Sequence, residues 1–215
     1  MIYHSEPYNK FDENEQWIRI TDGCPNGCEY CYAPKELMVY PIPEIIRNSV
    51  KIMDMNLLVQ EGALNIIKDL GSRKVKEKNV YYELVCGIDY RRLTFEIARA
   101  LKTCHFIKMR FAWDYGFIKQ HEIKAAINCL IKAGYRPKDI MVFILYNWKI
   151  PFSENIKKLD LLKVWGVMVA DCCFDNQLSP NFKPIHWTMP ELITFRQICR
   201  KHNQLINFGI DPEYY

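Results

Sequence analysis

From Trp17 to Thr21 apolar and polar residues alternate, the period of a strand with one buried face, and the run opens directly into Asp22-Gly23-Cys24. A strand thus delivers a cysteine-bearing loop, after a polar, irregular stretch over 1–16. Pro34, Pro41 and Pro43 break the segment that follows and leave room only for a short helix begun at Pro43. Val50 to Val59 predicts a second strand and 60–70 a helix closed by Gly71. Val80 to Val85 predicts a third strand ending at Cys86-Gly87-Ile88-Asp89, then a helix over 94–103 capped by Thr94. Ile107 to Trp113 predicts a fourth strand ending at Asp114; the next helix carries Ile123, Ala126, Ile127, Leu130 and Ile131 on one face before Gly134. Ile140 to Tyr146 is an apolar, β-branched run suited to burial on both faces, Ser153 opens a helix that ends at Gly166, and Val167 to Ala170 predicts a sixth strand. Thr188 and Glu191 have capping-box spacing for a last helix running from near Pro190 to about Asn203.

Six alternations of strand and helix imply parallel strands with covering helices, and right-handed crossovers reduce the choices to a doubly wound or a barrel-like sheet. The expected fold is α/β, a partial, open TIM-like barrel of about six parallel βα units, with its functional loops at the carboxyl ends of the strands. No solenoid-period repeat or low-complexity linker interrupts the chain, so its 215 residues are expected to form a single domain over 1–215, with 1–16 a polar lead-in and 204–215 a C-terminal tail.

Composition narrows the class. With 49% apolar and 25% charged residues the chain has the means to build a core, which excludes wholesale disorder. The net charge of +4, from 29 Lys and Arg against 25 Asp and Glu, is too small and scattered to mark a nucleic-acid surface by itself, although it permits an anionic substrate. No run approaches the ~20 apolar residues of a membrane span, and Met1-Ile2-Tyr3-His4-Ser5-Glu6 lacks the layout of a signal peptide. The expectation is a cytoplasmic protein with no membrane partner. Nine cysteines is an odd number, and three of them fall within eight positions, a pattern of metal binding rather than of disulfides.

Those three belong to Cys24-Pro25-Asn26-Gly27-Cys28-Glu29-Tyr30-Cys31, whose spacings let the thiols converge on one small object while the loop wraps it. Pro25, Asn26 and Gly27 are turn formers, and Gly23 and Gly27 let backbone amides approach the sulfurs. A cubane iron–sulfur cluster takes four ligands, so three cysteines leave one iron open. Structural zinc is the plainer alternative, but it asks for a fourth protein ligand and usually for paired CxxC or Cys/His spacings.

The octet resembles the signature of the radical S-adenosylmethionine (SAM) superfamily, a CxxxCxxC triplet just after the first strand with an aromatic residue, here Tyr30, before the last cysteine. The resemblance implies that Cys24, Cys28 and Cys31 hold a 4Fe-4S cluster, that the open iron binds the amino and carboxylate groups of SAM, and that Tyr30 packs beside the adenine. It also implies an external electron donor such as flavodoxin or ferredoxin. The implied reaction is one-electron cleavage of SAM to methionine and a 5′-deoxyadenosyl radical that abstracts hydrogen from a substrate.

Where the family commonly has Gly-Gly-Glu for the methionine ammonium, this chain has Asp54-Met55-Asn56, so Asp54 or Asn56 becomes the candidate contact, against a plain strand-edge turn. Gly87-Ile88-Asp89-Tyr90-Arg91 resembles a segment of small stand-alone members of the superfamily, with Asp89 and Arg91 as a pocket pair or a structural ion pair. Asp114, at the end of the fourth strand, matches the family's position for a side chain against the SAM ribose. Tyr146, Asn147 and Asp171 end later strands and are expected on the same rim or as caps. Cys172 and Cys173 are candidates for hydrogen donation to a substrate radical, for a second metal with Cys86, or for ordinary packing. His105, His121 and His202 are read as ordinary polar residues, and Phe182, His186 and Trp187 with the tail as an aromatic plug or wall.

The function expected is that of a radical SAM enzyme acting on a small or tethered substrate, with a nucleotide or nucleic-acid base first and a peptide side chain second. Its rivals are a cluster-containing SAM-binding or electron-transfer protein without radical catalysis, and a zinc-stabilised nucleic-acid module.

Overall fold

The computed structural model describes residues 7–175 and 184–209. In chain order they form β1 (Tyr8–Phe11), β2 (Glu15–Arg19), β3 (Thr21–Asp22), β4 (Met38–Val39), β5 (Ser49–Ile52), α1 (Ala63–Ser72), β6 (Lys74–Val75), β7 (Lys78–Asn79) and β8 (Tyr81–Leu84). There follow α2 (Phe95–Thr103), β9 (Met109–Ala112), α3 (Gln120–Lys132), β10 (Ile140–Tyr146), α4 (Phe152–Val164), β11 (Met168–Cys173) and α5 (Met189–Phe208). Two compact units emerge, one of 7–111 with 128–135 and the other of 112–127 with 136–175 and 184–209.

The first unit is built on a four-stranded sheet of order β1-β2-β5-β8, in which β1 runs antiparallel to β2 and the remaining pairs are parallel. Register places Gln16, Val50 and Tyr82 in one row and Ile18, Ile52 and Leu84 in the next. All six are buried, and each large apolar side chain among them contributes roughly 1.5–3 kcal/mol by leaving water. Tyr82 Oη donates to the carbonyl of Leu70 in α1 at 2.7 Å, which satisfies its hydroxyl inside the core. The opposite face is polar: Trp17, Lys51 and Glu83 stand in register across β2, β5 and β8.

In the second unit β10 pairs with β11 in parallel from Met141↔Met168 to Tyr146↔Cys173. α5 docks through Asn203, which accepts from Val169 N at 2.9 Å and donates to Val169 O at 2.7 Å, so its amide serves the free edge of β11 as a neighbouring strand would. The capping box is present, with Thr188 Oγ1 accepting from Glu191 N and Glu191 Oε2 from Thr188 N.

The expected open barrel of six βα units is not formed. Among the described residues the strands fall into separate sheets of four, three, two and two strands, with no closed barrel. Beyond β8 only the isolated pairs Tyr82↔Phe106 and Ile88↔Phe111 form, so seven residues of one segment stand against six of the other. The register slips there: Lys108, between those pairs, adopts φ of 51°, and His105, just before the first of them, 62°, which interrupts the extended run.

Local expectations fared unevenly. The second strand stops at Ile52, Leu57–Val59 is a 3-10 turn, Gly71 lies inside α1, and 43–48 form no helix. Strand β1 lies in the stretch expected to be irregular. Residues 1–6, Phe182 and 210–215 lie outside the described residues. No helix among the described residues is long and apolar enough to cross a membrane.

Candidate functional site

β3 and β4 pair antiparallel, Thr21↔Val39 and Asp22↔Met38, and so clamp the stem of the cysteine loop. Inside that clamp Gly23 has φ +86°, and a Cβ on it would lie 1.8 Å from the Glu36 carbonyl oxygen, so this position requires glycine. Cys24 N donates to Pro34 O at 2.8 Å, closing the loop, and Cys31 N donates to Cys28 O at 2.9 Å, folding the segment between the last two cysteines into a tight turn. Ala33 N then points at Cys31 Sγ, 3.4 Å away. Cys24, Cys28 and Cys31 line one cavity of about 120 Å³ together with Asn26, Gly27, Ala33 and Lys35. Tyr30 stands half-buried within this loop.

Behind the loop lies a hydrogen-bonded cluster drawn from the segments that follow β5 and β8. Asn56 Nδ2 donates to Cys24 Sγ at 3.4 Å and to Asp89 Oδ2 at 3.3 Å. Asp89 Oδ2 also accepts from Asn26 Nδ2 at 2.9 Å, while Arg91 forks onto both carboxylate oxygens, Nε to Oδ1 at 2.7 Å and Nη2 to Oδ2 at 2.8 Å. Burial alone would raise the Asp89 carboxyl, but the hydrogen bonds from Arg91 and Asn26 and the guanidinium charge outweigh it and hold the group below the usual carboxylate range. Asn56 is 6% exposed, and its Oδ1 is buried with no hydrogen-bond partner among the described residues.

Asp54 is turned the other way. Its oxygens accept from Ile20 N at 2.9 Å and Thr21 Oγ1 at 2.7 Å, and burial raises its pKa to about 6 against those stabilising bonds. The carboxylate thereby ties the segment after β5 to the β2–β3 junction. Cys86 is exposed just after β8, its thiol 3.9 Å from the Met53 carbonyl. On the polar face, Lys51 pairs with Glu15 at 2.7 Å and stands over the Trp17 ring, while Glu83 takes Lys108 at 3.2 Å and Arg110.

The remaining candidates fall in the second unit. Asp114 is buried after β9. Tyr146 is buried among Trp187 and Phe195, and burial drives its hydroxyl well above the usual range. Asn147 Oδ1 accepts from the backbone of Ile185, His186 and Trp187, and its Nδ2 donates to Phe174 O at 2.9 Å, so it organises the aromatic segment before α5. Asp171 meets Arg196 at 3.6 Å, and burial pushes the Cys173 thiol up to about 11. His202 bonds the Val167 carbonyl at 2.8 Å. The bond from Asn26 to Asp89 and the anchoring function of Asn147 have no local sequence signal, since their partners lie dozens of positions away.

Among the described residues no three His, Cys, Asp or Glu side chains are drawn together as ligands of a single metal ion. No protein-family model matches the chain. The chain is similar to the ribosomal protein uS12 methylthiotransferase RimO of Clostridium acetobutylicum, with 25% identity over 119 residues. The match covers 45% of this chain and 26% of that protein's length.

Proposed function

We propose that this protein is a radical SAM enzyme whose Cys24, Cys28 and Cys31 hold a 4Fe-4S cluster. The observation that carries the reading is the three thiols around one cavity, in a loop whose turns point a backbone amide at one of them. The donor set suits a cluster bound through three irons, and the likeness to a methylthiotransferase supports an enzyme of this kind. When bound, the cluster supplies an electron and an open iron for SAM, whose reductive cleavage yields methionine and a 5′-deoxyadenosyl radical.

The chain's own residues supply binding and orientation. Asn56 takes the place of the family's acidic residue: its buried, unpartnered Oδ1 is an acceptor suited to the methionine ammonium, whereas both oxygens of Asp54 already serve the backbone and hydroxyl of Ile20 and Thr21. Tyr30 is the candidate for the adenine. Asp89 and Arg91 act as a braced pair that fixes the cysteine loop through Asn26.

For the substrate we favour an anionic molecule of the nucleotide class. The polar sheet face supports this, since Lys51, Lys108 and Arg110 together with Arg19 outnumber Glu15 and Glu83 beside the half-buried indole of Trp17. The match to RimO spans too little of that protein to carry its ribosomal-protein substrate across.

The test is anaerobic reconstitution with iron and sulfide, then SAM and dithionite, following methionine and 5′-deoxyadenosine in wild type and Cys28→Ala. Product that disappears in the variant is expected. A stable cluster that never cleaves SAM, with nucleotides present or absent, would replace this reading by an electron-transfer or SAM-binding one.

A further inference from the structure

We infer that Asp89 is a positioning residue that holds the Asn56 amide N–H on Cys24 Sγ and thereby raises the reduction potential of the cluster that Cys24 ligates. The inference rests on the proposed cluster, but its argument lies in side chains no signature assigns. Three segments meet here: Cys24 follows β3, Asn56 follows β5 and Asp89 follows β8. Asn56 Nδ2 faces two acceptors, the Cys24 sulfur at 3.4 Å and Asp89 Oδ2 at 3.3 Å.

The orientation of that amide is decided by Asp89. Rotating it by half a turn would set Oδ1 against a thiolate and a carboxylate, both electron-rich. Without the carboxylate little would hold the amide in place, because Oδ1 has no partner among the described residues to lose. Asp89 is itself fixed, its side chain 4% exposed and clasped by Arg91 and Asn26. The guanidinium also offsets the carboxylate's charge, so the device orients an N–H toward sulfur without adding a net anion beside it.

An N–H donated to a ligating sulfur stabilises negative charge there, and the reduced cluster carries more of it. Loss of the bond must therefore make the cluster harder to reduce. Asp89→Asn is the informative change, because it keeps the shape while placing an NH₂ where Oδ2 stood. An NH₂ there no longer accepts from Asn56 Nδ2 and repels it, so the variant removes the contact that holds the Asn56 N–H on Cys24.

The experiment is a double-mutant cycle on the midpoint potential, read by EPR during redox titration of the reconstituted full chain: wild type, Asn56→Leu, Asp89→Asn and the double variant. Asn56→Leu should lower the reduction equilibrium about tenfold, or about 59 mV for one electron, in the wild-type background and leave it nearly unchanged in the Asp89→Asn background. An unshifted potential in Asn56→Leu would overturn the hydrogen bond, and an equal shift in both backgrounds would overturn the positioning role, while the cluster reading stands in either case. A wild-type chain that takes up no cluster would sink both. Should Asp89→Asn fail to load, pulsed EPR on wild type labelled with ¹⁵N-asparagine decides: a side-chain amide coupling lost in Asn56→Leu supports the bond, and its absence in wild type removes it.

Discussion

Single residues decide whether the cysteine loop closes, and two glycines that look alike in the sequence separate on this point. Gly23 combines φ +86° with a backbone oxygen 1.8 Å from its would-be Cβ, whereas Gly27 has φ +61° and meets only the flexible end of Lys35 at 3.9 Å. Gly23→Ala must therefore move the β3–β4 clamp and should cost at least about 3 kcal/mol, together with iron and sulfide uptake. Gly27→Ala pays only the left-handed backbone term of about 1 kcal/mol and should load normally. Thermal melts and metal analysis of the two variants check the contrast. The thiol spacing was legible because it is local, and so was the glycine-rich turn. The division of labour between Asp54 and Asn56 was not, since it depends on the fold turning one toward Thr21 Oγ1 and the other toward Cys24 Sγ.

Elements were legible where periodicity or capping chemistry spoke for them: β10 runs from Ile140 to Tyr146 as expected, and Thr94 and Thr188 cap α2 and α5. α4 shows what the pattern conceals. Lys158 and Asn155 reach inward as buried polar residues, Lys158 Nζ to the Trp113 carbonyl at 3.1 Å and Asn155 Nδ2 to that of Leu145 at 3.0 Å. These side chains satisfy carbonyls that follow β9 and lie near the end of β10, so α4 is tied to the strands by its polar residues as well as its leucines. Burial lowers the Lys158 pKa from 10.5 to about 8, against the opposing pull of Asp114 and Glu154. The folded chain thus gives up this proton before the unfolded chain does, and the contribution of Lys158 to stability should rise with pH between about 8 and 10.5, by about 3 kcal/mol at most, against the opposite trend of the buried Cys173 and Cys199 thiols, which the wild type and a Lys158 variant share. Lys158→Met should abolish that rise. The comparison belongs between pH 7.5 and 9.5, roughly below the unperturbed tyrosine pKa near 10, because buried Tyr82, Tyr135 and Tyr146 oppose folding above it. Denaturant melts showing equal slopes for both proteins would refute the assignment.

At the scale of the whole molecule, alternation of strands and helices suggested one curved sheet, and the failure of that expectation has a specific cause. Periodicity reports which way side chains face, but continuity of a sheet depends on register, and here one unmatched residue between Ile88 and Tyr82 with two left-handed residues breaks the ladder. The same partition bears on where the proposed cluster would act. Cys24, Cys28, Cys31, Asn26, Asn56, Asp89 and Arg91 all fall within the first compact unit. A ligand bound there at a hundredfold excess over its dissociation constant stabilises what it binds by about 2.7 kcal/mol, enough to slow exchange of amides that open with that unit about a hundredfold. Hydrogen exchange on the chain before and after iron–sulfur reconstitution, without SAM, should show this protection over 20–35, 54–60 and 87–93 and leave β10, β11 and α5 unchanged. Equal protection throughout would mean that the two units open as one, and the cluster would then stabilise the entire chain through a single cooperative transition rather than its own sheet alone.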